Sequence, residues 1–294
     1  RNVTGVQTCA LPISVPASGS DASQLAAARW FTAISEKLAG IPGVESASAA
    51  MGVPTGSYNS SGAFIIEGKQ DWTSSRLADL PQSRYRLAGA NYFQTLGIGL
   101  KSGRDFTPRD SFEAPFVAIV SESLARQYFP KEDPIGKRVQ CGLDKPQWMT
   151  IVGVVGDVRS SSPDTAPKPE LYMPYQQHPG YADELQIVLR SRVDPGTLTE
   201  SVRQSIRAER PDVALRFETL DGMVAQTISL PRFRTVLLGT FSLIAVLLAL
   251  GMPGRLMALL LLIEAVVVGG GGGGLAPPTR APARDSASGS RATG

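Results

Sequence analysis

Histidine is almost missing from this chain. His178 is the only one in 294 residues. A single imidazole cannot build a His-rich metal site, and no serine or cysteine nucleophile motif accompanies it. Cysteine is nearly as scarce: Cys9 and Cys141 make neither a disulfide framework nor a metal-ligand spacing. No G-x-S-x-G, no H-E-x-x-H and no P-loop occurs, which removes the nucleophile elbow, the zinc protease and the nucleotide-cradling loop. Charge is sparse and balanced, 29 Lys and Arg against 26 Asp and Glu, and the basic residues stand singly. A nucleic-acid partner needs a concentrated basic surface, so none is expected. No catalytic, cofactor-binding or metal-ligating residue is assigned, and no cofactor.

What is present is a folded core. Hydrophobic residues at 43% and charged ones at 19% lie outside the disorder regime for most of the length, which suits one large or two small domains. Residues 23–39 carry Leu25, Ala28, Phe31, Ile34 and Leu38 near helical spacing, with Asp21 or Ser23 as N-cap and Gly40 near the C-cap. Strands are predicted at 44–50, 63–67, 84–88, 116–120, 138–141, 149–155, 185–190 and 213–218. In 84–88, Tyr85 and Leu87 alternate with Arg84 and Arg86, the pattern of a half-buried strand. Helices are predicted at 121–128, with Ser121 as N-cap, and at 195–208, with proline at the start.

Both ends differ from the middle. Residues 3–13 match, residue for residue, the in-frame translation of a common sequencing adapter, so 1–13 are read as an adapter artefact outside the fold. Residues 235–252 are 18 positions without a charge, about 27 Å of helix at 1.5 Å per residue, enough for a hydrocarbon core. Arg232 and Arg234 stand at the edge of this run, where they reach headgroups, so the segment is read as a membrane anchor. Arg255 on the far side leaves its orientation undecided by charge. Residues 253–294 include six consecutive glycines and a Pro/Ala/Ser/Arg/Gly-rich end that cannot bury a core. They are read as a frameshifted or disordered tail, and the chain as a fragment.

Between residues 91 and 175 several uncommon patterns follow one another in fixed order. They run Asn91-Tyr92-Phe93, Leu96-Gly97-Ile98, Gly103-Arg104-Asp105-Phe106, Ser121-Glu122-Ser123-Leu124-Ala125 and Tyr128-Phe129-Pro130. Asp133-Pro134-Ile135-Gly136-Lys137-Arg138, Ile151-Val152-Gly153-Val154-Val155-Gly156-Asp157 and Leu171-Tyr172-Met173-Pro174-Tyr175 complete the set. The succession resembles the MacB-like periplasmic core domain of bacterial ABC-transporter permeases, of the FtsX/MacB-like type and closest to the duplicated orphan permeases of acidobacteria. It covers roughly residues 14–251.

The resemblance implies an α+β, two-lobed extracytoplasmic domain followed by a transmembrane helix. Paired βαβ units, 14–90 plus 183–222, would form the membrane-proximal lobe, and 91–182 an inserted β-rich distal lobe. Residues 223–252 would be stalk and membrane helix, with Pro231 kinking the junction. A further membrane helix and an opening strand would precede Ser14, and the sheet would be left with an open edge where the adapter replaces that strand. The implied partners are a separate ABC ATPase subunit, a second permease half or homodimer, a periplasmic or outer-membrane protein, and membrane lipid.

Residues that invite a chemical role have structural readings beside it. His178 sits in a Pro/Gly/Gln loop. Asp157 with Arg159 ends a strand as a turn. Gly136-Lys137-Arg138 resembles the end of a phosphate loop, but Asp133-Pro134-Ile135-Gly136 reads as a turn with glycine at positive φ. Trp72, Trp148, Tyr172 and Tyr175 read as packing. The expectation is a truncated permease subunit that couples ATP-driven membrane-helix motion to something outside the membrane. Its rival is a membrane-tethered extracytoplasmic ligand-binding or sensor module, and a tethered hydrolase is a third. A requirement for an ATPase separates the first from the others, and saturable ligand binding by the isolated domain favours the second.

Overall fold

The structure, a computed structural model, describes residues 7–14, 20–54, 60–73, 76–143, 146–158, 166–181, 184–211, 213, 215–220 and 222–223. The expected membrane anchor, the tail and all of the stalk beyond Met223 lie outside the described residues. Among those described, no helix is long and apolar enough to cross a membrane.

In chain order the elements are β1 (Gln7–Ser14), α1 (Asp21–Ala39), β2 (Val44–Met51), β3 (Ser61–Ile66), β4 (Gln82–Ala88), α2 (Tyr92–Leu96), β5 (Leu100–Gly103) and β6 (Val117–Ser121). They continue with α3 (Glu122–Tyr128), β7 (Arg138–Cys141), β8 (Met149–Val155), β9 (Glu170–Pro174), β10 (Glu184–Ser191), α4 (Pro195–Arg207) and β11 (Glu218–Thr219).

Four strands lie in the order β11-β1-β10-β2. β1-α1-β2 and β10-α4-β11 are two βαβ units that interleave, each placing a strand between the two strands of the other. Both helices are held by one apolar stripe. In α1, Ala28, Phe31, Ile34 and Leu38 recur at three- and four-residue steps, and in α4 Leu198, Val202 and Ile206 recur every fourth residue. These side chains join Ala47, Ala49, Leu185, Ile187 and Leu189 in one core. At roughly 1.5–3 kcal/mol for each large apolar side chain buried, a few such anchors outweigh the modest propensity of either helix. The α1 cap is Ser20, one residue before Asp21 and three before Ser23, the expected positions, and its Oγ accepts from the Ser23 N–H at 3.4 Å.

The remaining strands form a ring. Pairing runs β4-β3-β7-β8-β6-β9, and β9 returns to β4 through a parallel register from Arg84↔Glu170 to Ala88↔Pro174. Side chains alternate across it. Phe64, Ile66, Tyr85, Leu87, Ala118, Val120, Leu171 and Met173 join the main core, whereas Ile119 and Tyr172 face a second cluster beneath α2. Ala63 and Ile65 turn outward to Trp72 and Trp148. β4 belongs to both parts, since its last residues Leu87 and Ala88 pair with Met51 and Ala50 of β2. β5 pairs β8 outside the ring.

Three expectations are corrected. Gln7–Ser14 is not outside the fold: it pairs residue for residue with β10, and Cys9 is buried. Its uncharged sequence suits a strand. Pro12 is tolerated there because, among the described residues, β11 reaches only Cys9 and Ala10, leaving β1 as the edge at that point. The sheet edge expected to be open is therefore occupied. The division drawn at 90/91 also falls elsewhere, because β3 and most of β4 pair within the ring while α2 packs on β2 and β10. Finally, β11 is Glu218–Thr219 rather than 213–218, although Val213 is buried in the core as its alternation suggested.

Candidate functional site

The ordered motifs converge on the ring and on α2. Asn91 opens α2 with φ 64° and Gly97 closes it with φ 70°, so the short helix is bounded at both ends by left-handed residues. It lays Tyr92 and Phe93 over Tyr172, with the Phe93 and Tyr172 rings 4.9 Å apart edge to face. Beneath them lies a charged pair, one member of which periodicity places in solvent. Arg86, expected on the exposed face of its strand, is 3% exposed and sits 3.6 Å from the Glu170 carboxylate. Tyr172 donates to Glu170 Oε2 at 2.5 Å. Burial pushes the Tyr172 hydroxyl well above its ordinary pKa, and the Glu170 charge adds to this, so it remains a donor.

The Gly-Arg-Asp-Phe segment builds a clamp. Arg104 donates two hydrogen bonds to Asp110, at 2.9 and 2.8 Å, and the Thr107 N–H adds a third at 2.8 Å. Burial alone would raise the Asp110 pKa, but these donors outweigh it and hold the carboxyl below its ordinary range. Buried Gln177 fastens the same loop, accepting from the Val117 N–H at 3.0 Å and donating to the Ser111 and Pro115 carbonyls.

The residues that invited a chemical role have these surroundings. His178 is buried with its ring 5.6 Å from Phe116, edge to face. Asp157 caps α3 by accepting from the Ser123 N–H at 2.7 Å, and among the described residues it forms an ion pair with Arg126 at 3.4 Å. Arg159 lies outside the described residues. Gly136 has φ 80° in a turn where Asp133 accepts from the Ile135 N–H, and Lys137 pairs with Glu132 at 2.9 Å. Trp72 donates to Gln140 at 2.6 Å, and the Tyr175 hydroxyl meets Thr32 at 3.0 Å. Among the described residues no group of three or more His, Cys, Asp or Glu is placed to hold a metal ion.

Described residues line recesses at two places. Along α1, adjoining hollows of about 220 and 230 Å³ share Thr32, Glu36, Pro108 and Gln176. A larger cleft of about 540 Å³ opens where β3, β4 and β9 begin.

Residues 7–209 match the family described as the MacB-like periplasmic core domain. This chain belongs to that family. The MacB-like assignment agrees with curated relatives. The macrolide export ATP-binding/permease protein MacB of Mannheimia succiniciproducens is 31% identical over 117 residues, 40% of this chain and 16% of that protein. The protein of the same name from Aggregatibacter actinomycetemcomitans is 30% identical over 98 residues, 33% of this chain and 14% of that protein. The match thus spans about a sixth of these relatives. The crystal structure of the periplasmic region of MacB from Actinobacillus actinomycetemcomitans aligns with a TM-score of 0.51 at 20% identity, covering 78% of this chain and 96% of that one. At that identity the likeness establishes a shared mixed α/β fold. The MacB-like core domain marks the chain as part of an ABC-transporter permease.

Proposed function

We propose that the chain is part of a permease subunit of an ABC-type export or mechanotransmission system, its outer domain passing ATP-driven motion of membrane helices to a substrate or partner. Catalysis is given to other components: ATP hydrolysis falls to a separate ATPase subunit, and the domain performs no chemistry. A second permease half or homodimer would complete the membrane part, with residues 235–252 in lipid and a periplasmic or outer-membrane protein as a further partner.

One observation carries this reading. The first and last described strands, β1 and β11, are neighbours, with Cys9 opposite Thr219 and Ala10 opposite Glu218. Because they run antiparallel, the start of β1 and the end of β11 leave the sheet in the same direction. Membrane segments attached at these two points would act together on one edge of the domain. From β1 the ladder then runs without a break through β10 and β2 to β4 and the ring.

The test is a flexible Gly/Ser insertion after Thr227 in the permease together with its ATPase. Flexible linkers behave as random coils and transmit little displacement. Transport should fail while ATP hydrolysis continues. Normal transport with the insert would exclude mechanical coupling through this junction and favour the tethered binding or sensor module.

A further inference from the structure

The groove along α1 has the chemistry of a cation site. Glu36 stands in the last turn of α1, on the wall that the two adjoining hollows share. Its carboxylate is exposed and makes no ion pair or hydrogen bond among the described residues. The cations of α1 itself are engaged elsewhere, Lys37 with Glu209 at 2.7 Å and Arg29, two turns back, with Glu113 at 3.5 Å. Among the described residues lining the inner hollow, the one with Asn91 and Tyr175, Glu36 is the only charged one. The C-terminal end of a helix carries partial negative charge of its own, so carboxylate and helix end attract the same kind of group.

Gln176, on the same shared wall, supplies an independent sign. The Thr32 hydroxyl donates to the Ala28 carbonyl at 3.0 Å, so its oxygen is left to accept. It accepts from the Tyr175 hydroxyl at 3.0 Å and from the Gln176 amide nitrogen at 3.5 Å. This fixes which way the amide is turned, and its Oε1 is buried with no hydrogen-bond partner among the described residues. Buried amide oxygens are nearly always partnered, so this one calls for a donor. Glu36 follows Thr32 by one helical turn, and such residues are neighbours on a helix face. Glu36 and Gln176 therefore flank Thr32 and can reach one ligand group between them. Asn91 lines the inner hollow as well, and it is the one non-glycine residue at positive φ among those described, 64°. Backbone strain of that kind gathers at binding sites, where the surroundings hold it. The Asn91 side chain makes no cap bond to α2.

We propose that this groove binds a small soluble molecule bearing a primary ammonium group, held between the Glu36 carboxylate and the Gln176 amide oxygen, with the Asn91 amide oxygen as a third acceptor. An ammonium has three N–H donors and no acceptor, which matches three oxygens. A hard metal ion takes six or more oxygen ligands, commonly several carboxylates, and the described wall offers one carboxylate. Ala39, Ala47, Ala49, Ala90 and Pro108 also line the inner hollow, so the body behind the ammonium is apolar. At about 220 Å³ the hollow exceeds the roughly 150 Å³ that accommodates benzene, so that body is of single-ring size. The site does not depend on the coupling role, since Glu36 and Gln176 lie on α1 and after β9, away from the β1–β11 pair. The Thr227 insertion and a binding titration can therefore fail separately.

The experiment is calorimetric titration of the full 294-residue chain in detergent, at low ionic strength, with cyclohexylamine, cyclohexanol and cyclohexanecarboxylate. The three share one ring and differ in charge. The amine should bind saturably at one site, and the alcohol and the carboxylate should bind roughly tenfold or more weakly. Added salt should weaken the amine alone. Glu36→Gln should lower its affinity about five- to tenfold, the exposed carboxylate being partly screened. Gln176→Met, which keeps the length of the side chain, should lower it several-fold. Glu122→Gln on α3 makes the same change of net charge elsewhere and should leave the affinity unchanged. Glu36 is exposed, so its variant decides the matter even if Gln176→Met disturbs the fold. Absence of saturable amine binding, equal affinity for cyclohexanol, or unchanged affinity in Glu36→Gln overturns the proposal.

Discussion

Gly103 and Gly153 are cross-strand partners that leave each other no room for a side chain. A Cβ on Gly103 would lie 2.2 Å from the Val152 carbonyl oxygen, and one on Gly153 would lie 2.4 Å from the Arg104 carbonyl oxygen. In both cases the obstacle is backbone, which cannot swing aside. Gly103 also has φ 75°, which strains any other residue. The pair is what allows β5 to lie against β8.

Gly103→Ala is therefore expected to cost about 2–5 kcal/mol, overpacking plus left-handed strain, and Gly153→Ala roughly 1–3 kcal/mol from overpacking alone. Urea unfolding of the two variants measures this. A loss below about 0.5 kcal/mol in Gly103→Ala would show that β5 shifts freely.

Arg86 and Glu170 form a pair in which each charge is buried at the cost of the other's hydration. Removing one partner takes this counter-charge from the second, so Arg86→Met or Glu170→Met should each destabilise by roughly 3–5 kcal/mol. The double variant Arg86→Met with Glu170→Met should lose less than the sum of the two single changes. A double-mutant cycle in denaturant measures the coupling, and strict additivity would mean that the two side chains do not support each other.

The Asp110 clamp predicts a pH dependence of definite sign. Its carboxyl is depressed in the fold, so the unfolded chain takes up its proton first as pH falls. The stability it contributes is present above the unfolded pKa of about 3.9 and is lost as pH drops through the lower folded value. Asp110→Asn should thus be less stable than the parent by about 1–2 kcal/mol at pH 7, a figure reduced for the half-exposed Arg104 partner. The gap should narrow towards pH 3 in unfolding curves. A constant gap across that range would assign the effect to packing.

The long-period elements were legible because their burial repeats. α1 and α4 place an apolar residue every third or fourth position against one sheet, and the strands 138–141 and 149–155 matched within the chain's own pattern. What failed was pairing. Nothing within Arg84-Tyr85-Arg86 says that Glu170, 84 residues later, will lie on the adjacent strand and draw Arg86 inside. For the same reason the division at 90/91 misses that β3 and β4 pair within the ring, since ring closure is a relation between β4 and β9 and leaves no trace in either alone. The textual match places 1–13 outside the fold, whereas Gln7–Ser14 forms eight consecutive register pairs with β10. The clamp had a local sign, an aspartate six residues after Arg104 in a Thr-Pro-Arg-Asp turn.

The eight-pair register between β1 and β10 also bears on how load is carried. A pull along β1 from its Gln7 end slides the strand lengthwise past its neighbour, so the cross-strand bonds are strained side by side and must yield together. A pull across the sheet would open them one after another from the end, each at small force. The same ladder is therefore stiff along the strand and weak to peeling. Tension entering along β1 would move the strand and its neighbours as a block, while a sideways tug would unfasten the edge.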